Sequence, residues 1–519
     1  MESLTLKVLW TFPLKRKPGS FAFAIIWNHL RLRLRVWHTM IALPDIAIPA
    51  SAGLHKPAVT AVRRAPAVMG VCLILLLAAS TATVFVSDAW PVPSFQIGVF
   101  ALLAIYLVVG IRGGKECLAH GFAPWLVYLL PVWGMLQILG HTTASTFETR
   151  EGVLRWGALA AVFFLSQTIG RTEIAQRNLL SAILLVGTAM ALLCITQLFT
   201  SEGRVLWMFP TGYPDVYATF PSYNNYAQFV ELVLPIALWR AVRHGWRAWW
   251  NLPAAGFLFA SVISSASRMG VALCAAELVV ILAIGLVTPR GSTTGLPTRS
   301  TVGVLLVVPV LAAVFTFCVG WDHVWLRLQD KDPYKDRGEF LTAAADMAMQ
   351  KPLTGFGLNT FPVVYPRYAV KDFADFVNYA HNDWAEFAAE GGIPFLLLVL
   401  IPFAAIIPTA IRNPWGLGLV AVMAHACVDY PFPRPAVSGW IFAILGLLYM
   451  ARTMDAKSQG SVKPIAREVL RRLPEEAPLK NENPIDRKEW KGNPARLNRR
   501  TVSDLLLNNA GRARIVQTL

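Results

Sequence analysis

The sequence predicts an all-α polytopic membrane protein with about twelve transmembrane helices and a helical loop domain between the ninth and tenth spans. Of the 519 residues, 55% are hydrophobic and only 15% are charged, and the mean hydropathy is +0.49. Soluble domains average about 25% charged residues. Apolar stretches long enough to cross a bilayer recur along the chain, and two helix signatures fall in the one long segment that separates them.

The twelve predicted spans follow from the requirement of about 20 apolar residues per crossing. They lie near 66–87, 94–112, 123–140, 152–170, 179–200, 225–243, 248–265, 268–287, 301–321, 392–411, 415–428 and 437–452. Residues 1–65 form a basic segment before the first span, and 453–519 form a basic tail predicted to be largely disordered, with a short helix near 463–473. Segment 21–48 is either an interfacial amphipathic piece or a re-entrant one.

The distribution of basic residues predicts the orientation. The first 64 residues contain ten Lys or Arg, no cleavable signal pattern precedes the first span, and every second short loop carries arginine or lysine. Because cytoplasmic loops are enriched in these residues, both termini are expected in the cytoplasm.

The net charge of +16 lies mainly in the tails and short loops, which indicates contact with anionic membrane lipid and no nucleic acid. The six cysteines show no paired spacing that would indicate a disulfide framework or a zinc site.

The long segment 322–391 is expected to be a folded periplasmic loop domain. In "KDRGEFLTAAADMAMQKP", Asp336 and Glu339 form a capping box for a first helix, which ends at Lys351-Pro352 before the turn "TGFGLNTF". In "AHNDWAEFAAEGGIPF", Asp383 and Glu386 form a second capping box, and a Gly-Gly pair separates that helix from the tenth span.

These helix starts place two ionisable side chains where an anion would bind. Arg337 lies in the first turn of one helix and His381 directly before the other, and helix N-termini favour anionic ligands. Arg268, in "ISSASRMGVALC", lies at the predicted outer end of the eighth span, where a guanidinium is costly unless it binds a partner such as phosphate.

Each of these residues also has an ordinary structural interpretation. Arg268 could anchor the interface, Arg337 could pair with Asp336 or Glu339, and His381 could be a hydrogen-bonding structural residue. Four further residues are possible supporting members of a site: Asn225, Asn382, Glu386 and His425. For His425, in "MAHACVDYPFPRPA", we expect a packed ring bonded to Asp429; Asn225 could cap the sixth span, and Glu386 could serve capping alone.

Over roughly residues 210–435 the chain resembles the O-antigen ligase and O-antigen polymerase superfamily of bacterial envelope glycosyltransferases. The resemblance rests on "YNNYAQFVELVLP", "SSASRMG", "DRGEFLTAAADMAMQKPLTGFGLNTF" and "AHNDWAEFAAEGGIPF", which occur in the family's order. It implies a multi-pass enzyme of the inner membrane, active in lipopolysaccharide or polysaccharide biosynthesis. Such an enzyme moves a glycan from undecaprenyl pyrophosphate to an acceptor hydroxyl of a lipid A core or a growing polysaccharide, on the periplasmic face and with inversion.

The resemblance also implies roles for single residues. Arg268 and Arg337 would hold the pyrophosphate and His381 would act at the acceptor, with no metal and no cofactor. The alternatives are a transporter or flippase of a lipid-linked or anionic envelope precursor, and a non-catalytic scaffold. A transporter should carry polar residues inside several spans and show repeat symmetry, whereas the ionisable groups noted above gather at one predicted face.

Overall fold

The computed structural model describes residues 56–87, 89–110, 121–210, 216–244, 250–287, 307–311, 313–314, 317, 335–371 and 376–472. By internal contacts the chain divides into Met1–Thr60 and Ala61–Leu519, and nearly all described residues belong to the second unit. The expected amphipathic piece at 21–48 and most of the ninth span therefore lie outside the described residues.

The described part is almost entirely helical. Its α-helices are α1 Lys56–Ala82, α2 Pro91–Gly110, α3 Phe122–Leu139, α4 Thr146–Ile169, α5 Glu173–Thr200, α6 Tyr223–His244, α7 Asn251–Ser265, α8 Arg268–Val287, α9 Lys335–Gln350, α10 Phe361–Val364, α11 Asp383–Arg412, α12 Gly418–His425 and α13 Pro435–Arg472. Short 3-10 turns occupy Tyr365–Arg367 and Pro414–Gly416. Two strands, β1 Arg204–Val205 and β2 Phe209–Pro210, pair antiparallel in the aromatic-rich segment 201–224.

Seven of the described helices are long and apolar enough to cross a membrane: α2, α3, α4, α5, α8, α11 and α13. Three shorter apolar helices lie at Pro66–Ala82, Asn251–Ser265 and Pro414–His425. The chain is thus a mostly helical, multi-pass membrane protein, as its hydropathy predicts. Eleven of the twelve predicted spans coincide with helices in the described residues, while the number of crossings and their orientation stay predictions.

The helices pack around a core that is rich in aromatic rings. Trp156 of α4 lies with its ring centroid 5.3–6.1 Å from those of Phe387, Phe395, Phe432 and Phe442. These rings come from α11, α13 and the turn between α12 and α13, so one indole joins four chain segments. The pairs with Phe387, Phe395 and Phe442 are edge-to-face, an arrangement that adds about 0.5–1.5 kcal/mol per pair beyond the area it buries.

The last helix extends beyond its apolar part. α13 continues through Arg472 and so includes most of the short helix expected near 463–473, while a largely disordered tail stays a prediction. Extending a helix that is already formed needs no new nucleation, so a polar sequence can continue it past the apolar part. Residues 473–519 lie outside the described part.

The segment around α9 and the start of α11 has a small core of its own. The core contains Phe340, Ala343, Ala344, Met347, Phe356, Phe361, Val364, Tyr365, Ala380 and Ala389. All these residues lie between 335 and 391, and four of them, Phe340, Ala343, Ala344 and Met347, recur at helical spacing along one face of α9. The described part of the predicted loop domain therefore folds around its own buried side chains.

The glycine turn "TGFGLNTF" attaches this segment to α11. Gly357 has φ +110°, and a Cβ there would lie 2.2 Å from the Thr143 hydroxyl, so only glycine fits. Backbone N–H groups of Phe356 and Gly357 donate to the carbonyls of Ala389 and Glu390 at 3.0 and 2.8 Å. These bonds satisfy carbonyls that α11 frees at its kink.

The kink in α11 lies at the predicted Gly-Gly break. Gly392 adopts φ 72° and ψ 177° inside the helix, and the N–H of Ile393 donates to the Pro352 carbonyl at 2.8 Å. A short amphipathic helix therefore ends at Gly391, and a lipid-length apolar helix begins directly after it. The kink sets the direction of the segment that carries His381.

Candidate functional site

The start of α11 is fixed to the turn between α12 and α13. The side chain of Asn382 is the N-cap: its Oδ1 accepts from the N–H of Ala385 at 3.0 Å, while its Nδ2 donates to the Cys427 carbonyl at 2.8 Å. The N–H of Asp383 donates to the Ala426 carbonyl at 3.0 Å. The residue immediately before this cap, His381, is held against residues 425–434, which we call the 425–434 turn.

The predicted capping boxes are wrong in detail. The N-cap of α11 is Asn382, one residue before the expected Asp383. The Asp383 carboxylate accepts a hydrogen bond from the N–H of Phe432 at 3.0 Å and does not cap the helix. At α9, the helix begins at Lys335, and Glu339 accepts from the N–H groups of Val370 and Lys371 at 3.1 and 2.8 Å. In both helices a predicted capping residue binds a distant backbone segment that local sequence does not reveal.

His381 pairs with an aspartate 48 residues further along the chain. Its Nδ1 lies 3.2 Å from Oδ1 of Asp429, whose side chain is 1% exposed while that of His381 is 28% exposed. The imidazole stacks on Phe340 at 6.0 Å and meets the edge of Tyr430 at 4.8 Å. His381 has φ 51°, a left-handed conformation that L-residues rarely adopt and that often occurs at functional sites.

The Asp429–His381 contact determines which ring nitrogen is available. An ionised carboxylate only accepts hydrogen bonds, so a neutral His381 ring carries its proton on Nδ1 and keeps Nε2 as an acceptor. The N–H of Tyr430 donates to the same Asp429 oxygen at 3.0 Å and fixes the carboxylate. The arrangement suits a general base held by a carboxylate, as in hydrolase triads.

Asp429 is held in its ionised form despite burial. Burial opposes ionisation, but the hydrogen bond with His381 and the positive charge of Arg337 outweigh it, so the pKa of Asp429 lies below its ordinary value. A carboxylate with a lowered pKa stays charged throughout the neutral range. It therefore serves as a permanent acceptor for His381.

Arg337 lies beside this pair. Its Nη1 donates to the Val428 carbonyl at 2.6 Å, and its charge acts on both Asp429 and His425. The structure therefore brings Arg337 and His381, which are 44 residues apart, to the same turn.

Arg268 begins α8 at a tight corner. Ala266 ends α7 in a left-handed conformation with φ 53°, and Ser267 donates to the Asn224 side chain at 2.8 Å. The neighbouring Asn225 donates to the Tyr430 carbonyl at 3.3 Å. The two asparagines at the start of α6 thus connect the corner that carries Arg268 to the residue that contacts His381, which is more than the span cap expected of Asn225.

The predicted partner of His425 is wrong. Its Nδ1 lies 2.7 Å from Oε1 of Glu231, and both side chains are almost completely buried. Asp429, expected to bond His425, contacts His381 instead. Glu231 lies in the middle of α6, and an acidic residue inside an apolar run is the sequence signal that could have found it.

Three carboxylates in the first two turns of α11 hold backbone segments. Besides Asp383 on Phe432, Glu386 accepts from the N–H of Ala380 at 2.7 Å. Glu390 accepts from the N–H groups of Asn359 and Phe361 at 2.8 and 2.9 Å. Through its contact with Ala380, Glu386 fixes the backbone of the residue directly before His381. Within the part of the chain that the structure describes, no group of three His, Cys, Asp or Glu side chains is arranged to hold a metal ion.

Comparison with known proteins agrees with the resemblance seen in the motifs. Residues 253–400 match the family model described as O-antigen ligase, and this segment contains Arg268, Arg337, His381, Asn382 and Glu386. No curated protein and no solved structure matches the chain. The matched segment begins after Glu231 and ends before Asp429, so both of these carboxylates, the partners of His425 and His381, lie outside it.

Proposed function

We propose that this chain, whose residues 253–400 match the O-antigen ligase family model, transfers a glycan from undecaprenyl pyrophosphate to an acceptor hydroxyl. The acceptor belongs to a lipid A core or a growing polysaccharide, and the reaction takes place on the periplasmic face of the inner membrane. The observation that carries the proposal is the contact of His381 with Asp429, with Arg337 bound to the same turn.

In this mechanism His381 is the general base. As the acceptor oxygen attacks the anomeric carbon, Nε2 of His381 accepts the hydroxyl proton, and Asp429 stabilises the imidazolium that forms. The bond between the anomeric carbon and the pyrophosphate oxygen breaks, and its electron pair stays on the pyrophosphate. Attack opposite the leaving group inverts the anomeric centre.

The two arginines act on the leaving group. Pyrophosphate leaves with an additional negative charge, and a guanidinium binds phosphate oxygens in a bidentate manner. Arg337 and Arg268 would neutralise that charge as it develops, which is the electrostatic contribution expected to be largest in such a reaction. These groups supply both the base and the charge stabilisation, so the proposed mechanism uses no metal.

Transfer by the purified full-length protein in detergent tests the proposal. The substrates are a glycan on a lipid pyrophosphate and candidate acceptors, assayed with and without chelator. We expect product in both conditions and a loss of at least about 100-fold for His381→Ala, Arg268→Ala and Arg337→Ala. Arg204→Ala, which removes an exposed arginine from the β1–β2 hairpin, is the matched control. Wild-type rates for His381→Ala would exclude it as the base, and loss with chelator would exclude the metal-free route.

A transporter of a lipid-linked precursor is the second candidate because α6 and α8 carry the buried carboxylates Glu231 and Glu277. Acidic residues at this depth are typical of transport paths. Detergent solution has no compartments, so new glycan product there supports the enzyme. Flux into vesicles without any product would favour the transporter.

A further inference from the structure

A second histidine–carboxylate pair shares the 425–434 turn with the proposed catalytic pair. Glu231 and His425 are both 0% exposed, and their side chains meet at 2.7 Å. This distance lies within the range of hydrogen bonds in which both partners are charged, about 2.7–2.9 Å. Oε2 of Glu231 and Nε2 of His425 have no hydrogen-bond partner among the described residues, so the 2.7 Å contact is the one hydrogen bond that joins either side chain to its surroundings there. Removing one partner would leave the other buried without compensation.

This second pair shares a turn with the first. The N–H of Val428 donates to the His425 carbonyl at 2.9 Å, and the Val428 carbonyl accepts from Arg337 at 2.6 Å. Asp429 follows as the next residue and contacts His381. Glu231 thus anchors, through His425, the segment that presents Asp429.

The charges around Asp429 come from several elements. Arg337 of α9, His381 and His425 stabilise its ionised form, while Asp383 of α11 and Glu231 of α6 lie close enough to oppose it. A positive His425 therefore adds to the charge that keeps this buried carboxylate ionised. His425 can carry that charge only while Glu231 accepts its hydrogen bond.

We infer that Glu231 is a positioning residue for glycan transfer: through its hydrogen bond it holds His425 positive and in place, and His425 keeps Asp429 ionised and aligned with His381. The inference rests on the proposed function of His381 as the base. It assigns Glu231 no contact with either substrate. Removing its charge should therefore lower the rate of the chemical step and leave substrate binding unchanged.

Glu277 offers a matched control on the neighbouring helix. It is 4% exposed, lies near Glu231, and neither of its carboxylate oxygens has a hydrogen-bond partner among the described residues. The two helices approach closely one turn before Glu231 and two turns before Glu277, where a Cβ on Gly270 would lie 2.4 Å from that of Ala227. Glu277→Gln thus repeats the same chemical change at similar burial without breaking a bond to His425.

The experiment compares Glu231→Gln, Glu231→Asp and Glu277→Gln in the full-length protein in detergent, with kcat and KM measured for donor and acceptor. For Glu231→Gln we expect kcat to fall at least about tenfold, which is part of the total rate enhancement that a general base contributes. Both KM values should stay within about twofold of the wild-type values. Glu231→Asp keeps the charge and should recover part of the loss. Glu277→Gln should retain wild-type kcat, and thermal unfolding of each variant verifies folding.

Ring-nitrogen NMR of histidine-labelled protein gives a readout that does not depend on activity. The wild type should show a buried imidazolium at neutral pH that His425→Asn removes, and Glu231→Gln should convert it to the neutral form. Wild-type kcat in Glu231→Gln, an equal loss in Glu277→Gln, or an unchanged imidazolium would each overturn the inference. Absence of transfer by the wild type, with the imidazolium present, would instead refute the proposed function.

Discussion

Replacing Asp429 with asparagine is the sharpest test of the proposed base. The change preserves size but removes the negative charge 3.2 Å from Nδ1 of His381. The asparagine amide can also donate to Nδ1, which would move the ring proton to Nε2 and block the nitrogen that must accept the acceptor proton. Both effects act on the chemical step.

The size of the effect follows from the distance. Two unit charges 3.2 Å apart attract by about 5 kcal/mol at an effective dielectric constant of 20, and the 28% exposure of His381 reduces this value. A general base contributes about 10²–10⁴-fold to a rate. Since about 1.4 kcal/mol corresponds to a factor of ten, we expect a loss near 10³-fold in kcat.

The assay is single-turnover transfer in detergent with saturating donor and acceptor. Asp346→Asn, the same change at an exposed position of α9, is the control and should keep the wild-type rate. Unfolding temperature shows whether the Asp429→Asn protein is folded. A folded Asp429→Asn variant with a rate within about threefold of wild type would refute the role given to the pair.

Two other predictions concern stability. Gly357→Ala places a Cβ 2.2 Å from the Thr143 hydroxyl at a φ of +110°, so we expect it to lower the free energy of unfolding by at least about 1–3 kcal/mol, visible as a lower unfolding temperature. Gly338→Ala is the control and should leave the unfolding temperature unchanged, because no atom lies within 4 Å of the added Cβ. Equal unfolding temperatures for the two variants would contradict the steric argument. The lowered pKa of Asp429 means that its ionised form stabilises the fold above the ordinary aspartate pKa, about 3.9, and that this contribution is lost as the pH falls through the lower folded value. The stability difference between wild type and Asp429→Asn should therefore shrink in acid, and a constant difference down to the lowest pH at which the protein folds would contradict it.

Local sequence predicted the helices well because hydropathy and helix breaks are local properties. The Gly-Gly break in α11 and the position of His381 before a helix start both follow from a few neighbouring residues. α13 continues through Arg472 and so reaches the short helix that the sequence predicts near 463–473. Capping residues were misassigned because their competitors for hydrogen bonds lie far along the chain.

The candidate site also combines residues that local sequence predicts with contacts that only the tertiary structure shows. Sequence alone determined a helical membrane protein with His381, Arg268 and Arg337 as the residues to examine, since a charged group beside an apolar span is conspicuous in any sequence. Only the tertiary structure decided that Asp429 pairs with His381 and that Glu231, 194 residues before His425, pairs with that histidine. Such pairings depend on which helices pack together and on which buried charges compensate each other, and neither is encoded in the spacing of neighbouring residues.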